Sequence, residues 1–158
     1  MSAELKRRID GRRRVYLLRH GEVSYFDREG RPHPQHGVPL NPEGVAHAEA
    51  AREALRGVPI DRAVHTGFPR TRETAEVILR GRGVAVETCE ALREIGPGPF
   101  AKDAQGPGFE AYFTGAFAGA VTRESTFLGG ESFGDFEDRV LPAFRKLLAA
   151  PGWKHLLL

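Results

Sequence analysis

Val15-Tyr16-Leu17-Leu18-Arg19-His20-Gly21-Glu22 decides how the rest of the chain is read. Four apolar residues without polar alternation predict a buried strand over residues 15–18, and the charged and flexible residues after them predict a loop at its carboxyl end. A helix is announced next: Asn41 suits an N-cap, Pro42 the first helical position and Glu43 the positive end of the dipole. Val45, Ala48, Ala51, Arg52 and Leu55 then recur at helical spacing, and Gly57 closes the run. Working outward, residues 60–65 predict a second strand and residues 69–80 a helix with Ala75, Ile78 and Leu79 on one face, stopped by Gly81. Residues 84–87 predict a third strand. Residues 132–149 predict a last helix presenting Phe133, Phe136, Val140, Phe144 and Leu147, and residues 154–158 begin a fourth strand. This alternation predicts an α/β domain with three α/β/α layers and a mostly parallel central sheet. Ligands of such sheets sit beyond the carboxyl ends of the strands, where Arg19 and His20 fall.

The remaining segments read as connections. Residues 1–14 form a basic arm, residues 15–158 a single domain, and residues 22–40 a loop carrying His33 and His36. Residues 96–130, rich in Gly, Pro, Phe and Ala, predict an irregular insertion with one helix over 109–117. Its aromatic residues Phe109, Tyr112, Phe113 and Phe117 are expected to form a small core of their own. Hydrophobic residues at 41% and charged residues at 28% match an ordinary globular protein. No apolar run reaches the roughly 18 residues that span a bilayer. The basic start lacks the apolar stretch of a secretory signal, and the lone Cys89 fits a reducing cytoplasm. The basic clusters Lys6-Arg7-Arg8 and Arg12-Arg13-Arg14 have no interleaved aromatics, so no nucleic acid is expected as a partner, and without a long apolar run no membrane is expected either.

The chemistry concentrates on few residues. A phosphomonoester site without a metal needs guanidinium groups to hold the dianion, an in-line nucleophile and an acid for the leaving oxygen. A neutral imidazole meets the second need when its other ring nitrogen donates a hydrogen bond. Taken alone, an Arg-His pair after a strand is equally a surface turn. His33, His36, His47, His65 and His155 show no metal-ligand spacing, so no metal and no cofactor is expected. His47 is expected on the solvent side of its helix, His65 in a capping or core role, and Glu131-Ser132 at the cap of the last helix.

Five segments in order change the weight of that pair. Arg19-His20-Gly21-Glu22, Leu40-Asn41-Pro42-Glu43-Gly44, Phe68-Pro69-Arg70-Thr71-Arg72-Glu73-Thr74-Ala75, Leu92-Arg93-Glu94-Ile95 and Gly129-Gly130-Glu131-Ser132 together resemble the histidine phosphatase superfamily, in its phosphoglycerate mutase-like branch. The resemblance implies that His20 is a nucleophile that becomes phosphorylated, that Arg19 and Arg70 clamp the phosphoryl oxygens, and that Glu94, its proton retained by burial, is the acid. It also implies that Gly21 and Glu22 join Arg19 and Arg70 in binding substrate, which is a small phosphorylated molecule or orthophosphate. The family carries a second histidine after its C-terminal strand. Here the sequence stops at Leu158 first, which is expected of a truncated chain. Gly96-Pro97-Gly98-Pro99-Phe100 replaces the segment that mutases carry after the acid, so the resemblance implies a metal-independent phosphatase rather than a phosphoglycerate mutase. The alternative is a catalytically degenerate relative that binds phosphorylated ligands or a protein partner.

Overall fold

Four short strands run parallel in the spatial order β1-β4-β2-β3, where β1 is Arg14–Tyr16, β2 Arg62–His65, β3 Val86–Thr88 and β4 His155–Leu157. This computed structural model describes residues 11–29, 33–98 and 121–158. The last strand in sequence therefore lies in the interior of the sheet, between β1 and β2. Register aligns Tyr16 with Leu157, Leu157 with Ala63, and Ala63 with Val86. That row faces helices α1 (Pro42–Ala54) and α2 (Pro69–Leu79), packing on Ala51, Leu55, Ala75, Ile78 and Leu79. Val15, Val64 and Leu156 point the opposite way, onto Trp153 and onto Leu147 and Leu148 of α3 (Phe133–Ala149). Successive strand residues alternate between two cores, which makes the three layers.

The helix ends follow the sequence signals. The Asn41 side chain accepts from the Gly44 N–H at 2.8 Å, and that of Ser132 from the Asp135 N–H at 3.0 Å. The hydroxyl of Ser132 donates in return to the Asp135 carboxylate. α3 continues through Pro142, which removes one backbone donor from its ladder.

Three details differ from the expected pattern. β1 begins and ends early, at Arg14 and Tyr16, and Leu17 and Leu18 are exposed at 73% and 39%. Among the described residues β1 is an edge strand, and past its end the Leu18 N–H, donating to the Leu158 carbonyl, still follows the ladder. β2 and β3 each start two residues late, at Arg62 and Val86, and Val84 packs against the core ahead of the pairing. In α1 the buried stripe runs through Gly44 and Ala48 rather than Val45, which is 39% exposed. Of the basic arm, Arg13 lies over the Trp153 ring at 4.5 Å and donates to the Ala150 carbonyl at 2.8 Å. The expected 109–117 helix, its aromatic cluster and the 6–8 basic cluster fall outside the described residues. Among the described residues no helix is long and apolar enough to cross a membrane.

The rotation of α1 has a visible cause. The loop after β1 crosses the first turn of α1 with no room for a side chain on either strand of the crossing. A Cβ on Gly21 would lie 2.2 Å from the Gly44 carbonyl oxygen, and one on Gly44 would lie 2.0 Å from the Glu22 carbonyl oxygen. The Asn41 N–H donates to that same Glu22 carbonyl at 3.1 Å. Both clashes are with backbone, so neither can be relieved by a rotamer change. Gly21→Ala and Gly44→Ala are each expected to destabilise the fold by about 2 kcal/mol or more, the range of overpacking substitutions. Urea unfolding midpoints check this, with Gly57→Ala, where nothing lies within 4 Å of the added carbon, as the expected neutral control.

Candidate active site

Three strands deliver the site from their carboxyl ends: β1 the loop with Arg19 and His20, β2 the turn into Arg70, and β3 the segment ending at Glu94. The end of β4 lies between the first two. Leu157 and Leu158 line a cavity of about 50 Å³ together with His20, Thr66, Thr71 and Thr74.

The β2–α2 turn positions Arg70. Gly67 adopts φ +97°, a conformation that favours glycine, and its N–H donates to Nδ1 of His65 at 3.1 Å. Since that nitrogen accepts, Nε2 of neutral His65 donates to the Thr88 hydroxyl at 2.8 Å. His65 is thus a structural tie between β2, its turn and β3, in the core role expected of it. Burial lowers its proton affinity, with Arg72 adding to the effect. Phe68 then caps α2 and Pro69 opens it, which places Arg70 in the first turn.

Arg70 has no exposed surface. Its guanidinium lies 4.2 Å above the Phe68 ring, and Nη2 donates to Oε2 of Glu94 at 3.1 Å. Its carbonyl accepts from the Thr74 hydroxyl at 2.7 Å, and the Gly21 N–H donates to the same hydroxyl at 3.0 Å. Thr74 therefore fixes the β1 loop onto α2 one turn beyond Arg70. The N–H of Gly21 is committed to this bond and its bare Cα to the α1 crossing.

His20 is half-buried in that loop, and its Nδ1 lies 2.7 Å from the Gly21 carbonyl oxygen. A carbonyl can only accept, so Nδ1 carries the proton and Nε2 has a free lone pair. Burial lowers the proton affinity of His20. The Gly21 bond opposes this, while the charges of Arg70 and Arg19 act with burial and that of Glu94 against it. The net direction is downward from 6.5, so the imidazole is neutral at neutral pH. These mutual influences bring four residues singled out in the sequence, Arg19, His20, Arg70 and Glu94, within electrostatic reach of one another.

Two of the sequence candidates stand differently from expectation. Glu94 was expected to be buried. Its side chain is 50% exposed, on a segment without regular structure, and it is ion-paired to Arg70. The Glu22 side chain is exposed and directed at the start of α1, 3.5 Å from Nδ2 of Asn41 and close to Glu43 and His47. His47 is on the solvent side of α1, as its spacing predicted. Glu131 does not cap α3; it binds Arg139 and the Gly96 N–H.

Tyr25 had no sequence signal. Its ring lies 5.9 Å from the Arg70 guanidinium carbon, and its proton affinity is raised by burial and by Glu94, against Arg70 and Arg19. It belongs to the same charged cluster. Thr74 did have a signal, lying four residues after Arg70 on the same helix face.

A buried guanidinium, an exposed one and an unprotonated imidazole nitrogen thus lie together, the set of groups that a phosphomonoester site without a metal needs. The profile of the histidine phosphatase superfamily (branch 1) matches residues 15–158. A Salmonella paratyphi A protein named "Probable phosphoglycerate mutase GpmB" is 31% identical over 147 residues, covering 91% of this chain and 67% of its own length. The solved structure of the alpha-ribazole phosphatase from Shigella flexneri superposes with TM-score 0.71 at 22% identity, covering 90% of this chain and 71% of that one. The solved mycobacterial glucosyl-3-phosphoglycerate phosphatase superposes with TM-score 0.64 at 25% identity, covering 89% and 70%.

The imidazole geometry sets an expected titration. Lowered proton affinity moves the neutral form to more acid pH, so His20 is expected to titrate below 6.5 with Nδ1 protonated in the neutral state. Long-range ¹H–¹⁵N spectra of the imidazole across pH 4–8 check both points (roughly the span in which histidines titrate). A midpoint at or above the ordinary value, or an Nε2–H tautomer, contradicts the geometry.

Proposed function

The chain belongs to the histidine phosphatase superfamily, and on that footing we propose that it hydrolyses small phosphomonoesters through a phosphohistidine formed at His20. The observation that carries this reading is the state of His20: Nδ1 is bonded to the Gly21 carbonyl, Nε2 is free, and the ring is neutral beside Arg70.

The phosphoryl dianion binds between Arg19 and Arg70 and takes the place of Glu94 as the partner of Arg70. Arg70 lies in the first turn of α2, where the positive end of the helix dipole favours the same charge. Two like charges now face each other, and a proton on Glu94 relieves the contact. Nε2 of His20 attacks phosphorus in line, the P–O ester bond breaks, and Glu94 gives its proton to the leaving oxygen. Water then attacks the phosphohistidine and the P–N bond breaks. The water's proton returns to Glu94, and orthophosphate leaves. The arginines stabilise charge on the equatorial oxygens in both transfers.

The loop that follows His20 also forms a cavity of about 330 Å³, lined by Ser24, His33, Pro34, Val38, Leu40 and Asn41 and by none of the residues assigned to the transfer. Its walls are mainly apolar, with polar groups from Ser24, His33 and Asn41, and its size suits a small molecule. The named phosphatases among the similar structures support hydrolysis. The name carried by the Salmonella relative favours a second reading, in which the phosphoryl group returns to a phosphoglycerate instead of passing to water. Release of orthophosphate faster than isomer exchange separates the two.

Turnover of a small phosphomonoester is expected to persist in the presence of a chelator and to vanish in His20→Ala. Activity surviving that substitution contradicts the reading. Arg70→Lys loses the planar fork that holds two phosphoryl oxygens, and is expected to lower kcat/KM by about 10²-fold or more, as for other lost transition-state donors. Steady-state kinetics on both variants check this.

A further inference from the structure

Glu94 sits on a segment that neither sheet nor helix supports. The 3-10 turn at Glu90–Leu92 ends just before it, and residues 93–98 have no regular structure. An acid for a leaving group must nonetheless be held to within a fraction of an ångström. The means of holding it lies on α3, two turns into the helix. Nε and Nη2 of Arg139 donate to the two carboxylate oxygens of Glu131, at 2.5 and 2.8 Å. Nη1 donates to the carbonyls of Ala91 and Arg93 at 3.0 and 2.8 Å, and Nη2 also to the carbonyl of Glu94 itself at 3.1 Å. Five bonds use all five guanidinium donors. Glu131 completes the clasp by accepting from the Gly96 N–H at 3.0 Å, and its N–H donates to the Gly96 carbonyl at 2.9 Å. The acid is thus bracketed on both sides in sequence, at residues 91, 93, 94 and 96, by one ion pair.

We propose that Arg139, oriented by Glu131, is the positioning residue for Glu94, coupling the last helix to proton delivery in the reaction. This rests on the phosphatase reading for the role of Glu94, but the placement itself rests on the bonds above. Lysine in place of Arg139 keeps the charge and most of the length, yet carries three donors on one point and cannot bridge four acceptor groups held in a plane. The loop would stay attached while the carboxyl loses its fixed place.

The test is a double-mutant cycle of Arg139→Lys and Glu94→Gln, read on two esters and on phosphate binding. An alkyl phosphate needs a proton on its leaving oxygen, whereas the phenolate of p-nitrophenyl phosphate departs without one. Glu94→Gln is expected to lower kcat/KM for ethyl phosphate by about 10²-fold or more and to change it far less for p-nitrophenyl phosphate. Arg139→Lys is expected to show the same split, with a loss of roughly tenfold on ethyl phosphate and less than about threefold on the aryl ester. In the Arg139→Lys background, Glu94→Gln is expected to cost much less than it does alone. Equal losses on both esters, or full additivity, overturn the proposal and leave Arg139 a stabilising residue only. The aryl ester doubles as the folding control, and Arg139→Met, which cannot clasp at all, is expected to deepen the same split.

Should the unsubstituted chain turn over neither ester, the phosphatase reading is what fails, and the placement is read by calorimetric titration with orthophosphate. Glu94 competes with the anion for Arg70. Glu94→Gln is therefore expected to change phosphate affinity in the parent chain and to change it much less in Arg139→Lys. An equal effect in both backgrounds overturns the placement.

Discussion

A guanidinium with no exposed surface, Arg70, is the constraint around which the site is organised. A charge out of contact with water is tolerated only where partners replace its hydration. Here they include the Phe68 ring beneath it, the Glu94 carboxylate beside it and the turn of helix that presents it. Glu94 is the member of this set that can leave, since half of its side chain already faces solvent. The resting ion pair therefore describes the site's ligand in outline: an anion that fits the guanidinium better than a single carboxylate does. A phosphoryl dianion, with more charge and three oxygens, meets that description.

The position of His20 depends on the same helix. The Arg70 carbonyl, the Thr74 hydroxyl and the Gly21 N–H form one hydrogen-bonded chain, so the His20 loop is registered to the helix that carries the cation. On its other side the loop is pressed against Gly44 with no space for a methyl group. The Gly21 carbonyl left between these contacts fixes the imidazole tautomer. Backbone packing and one threonine thus settle which ring nitrogen of His20 is left unprotonated. Glu94 has no such support from the sheet, and Arg139 holds the backbone around it from the third layer.

The strand and helix order was legible because period and punctuation are local: Asn41-Pro42, Pro69 with Gly81, and Ser132 each mark an end without reference to the rest of the fold. That Arg19, His20, Arg70 and Glu94 gather in one place was legible from the motifs that carry the family resemblance. What the sequence hid depends on contacts between distant residues. Leu17 and Leu18 look like core, yet β1 is an edge, which only the strand order reveals. Val45 fits the helical stripe, yet the Gly21–Gly44 crossing turns α1 so that the stripe runs through Gly44. Arg139 reads as one more helix-surface arginine until the chain from 91 to 96, more than forty residues earlier, folds onto it. Tyr25 lies in an aperiodic loop, where no pattern indicates which side chain turns inward.

The account stands on transfer of the phosphoryl group held by Arg70 to Nε2 of His20. Rapid alkaline quench during turnover, followed by mass spectrometry of the peptides, locates any covalent phosphate directly. The expected result is a phosphoryl group on His20 that is stable to alkali, labile to acid and chased by unlabelled substrate. Turnover with no phosphorylated residue, or with the phosphate on another side chain, would contradict the account.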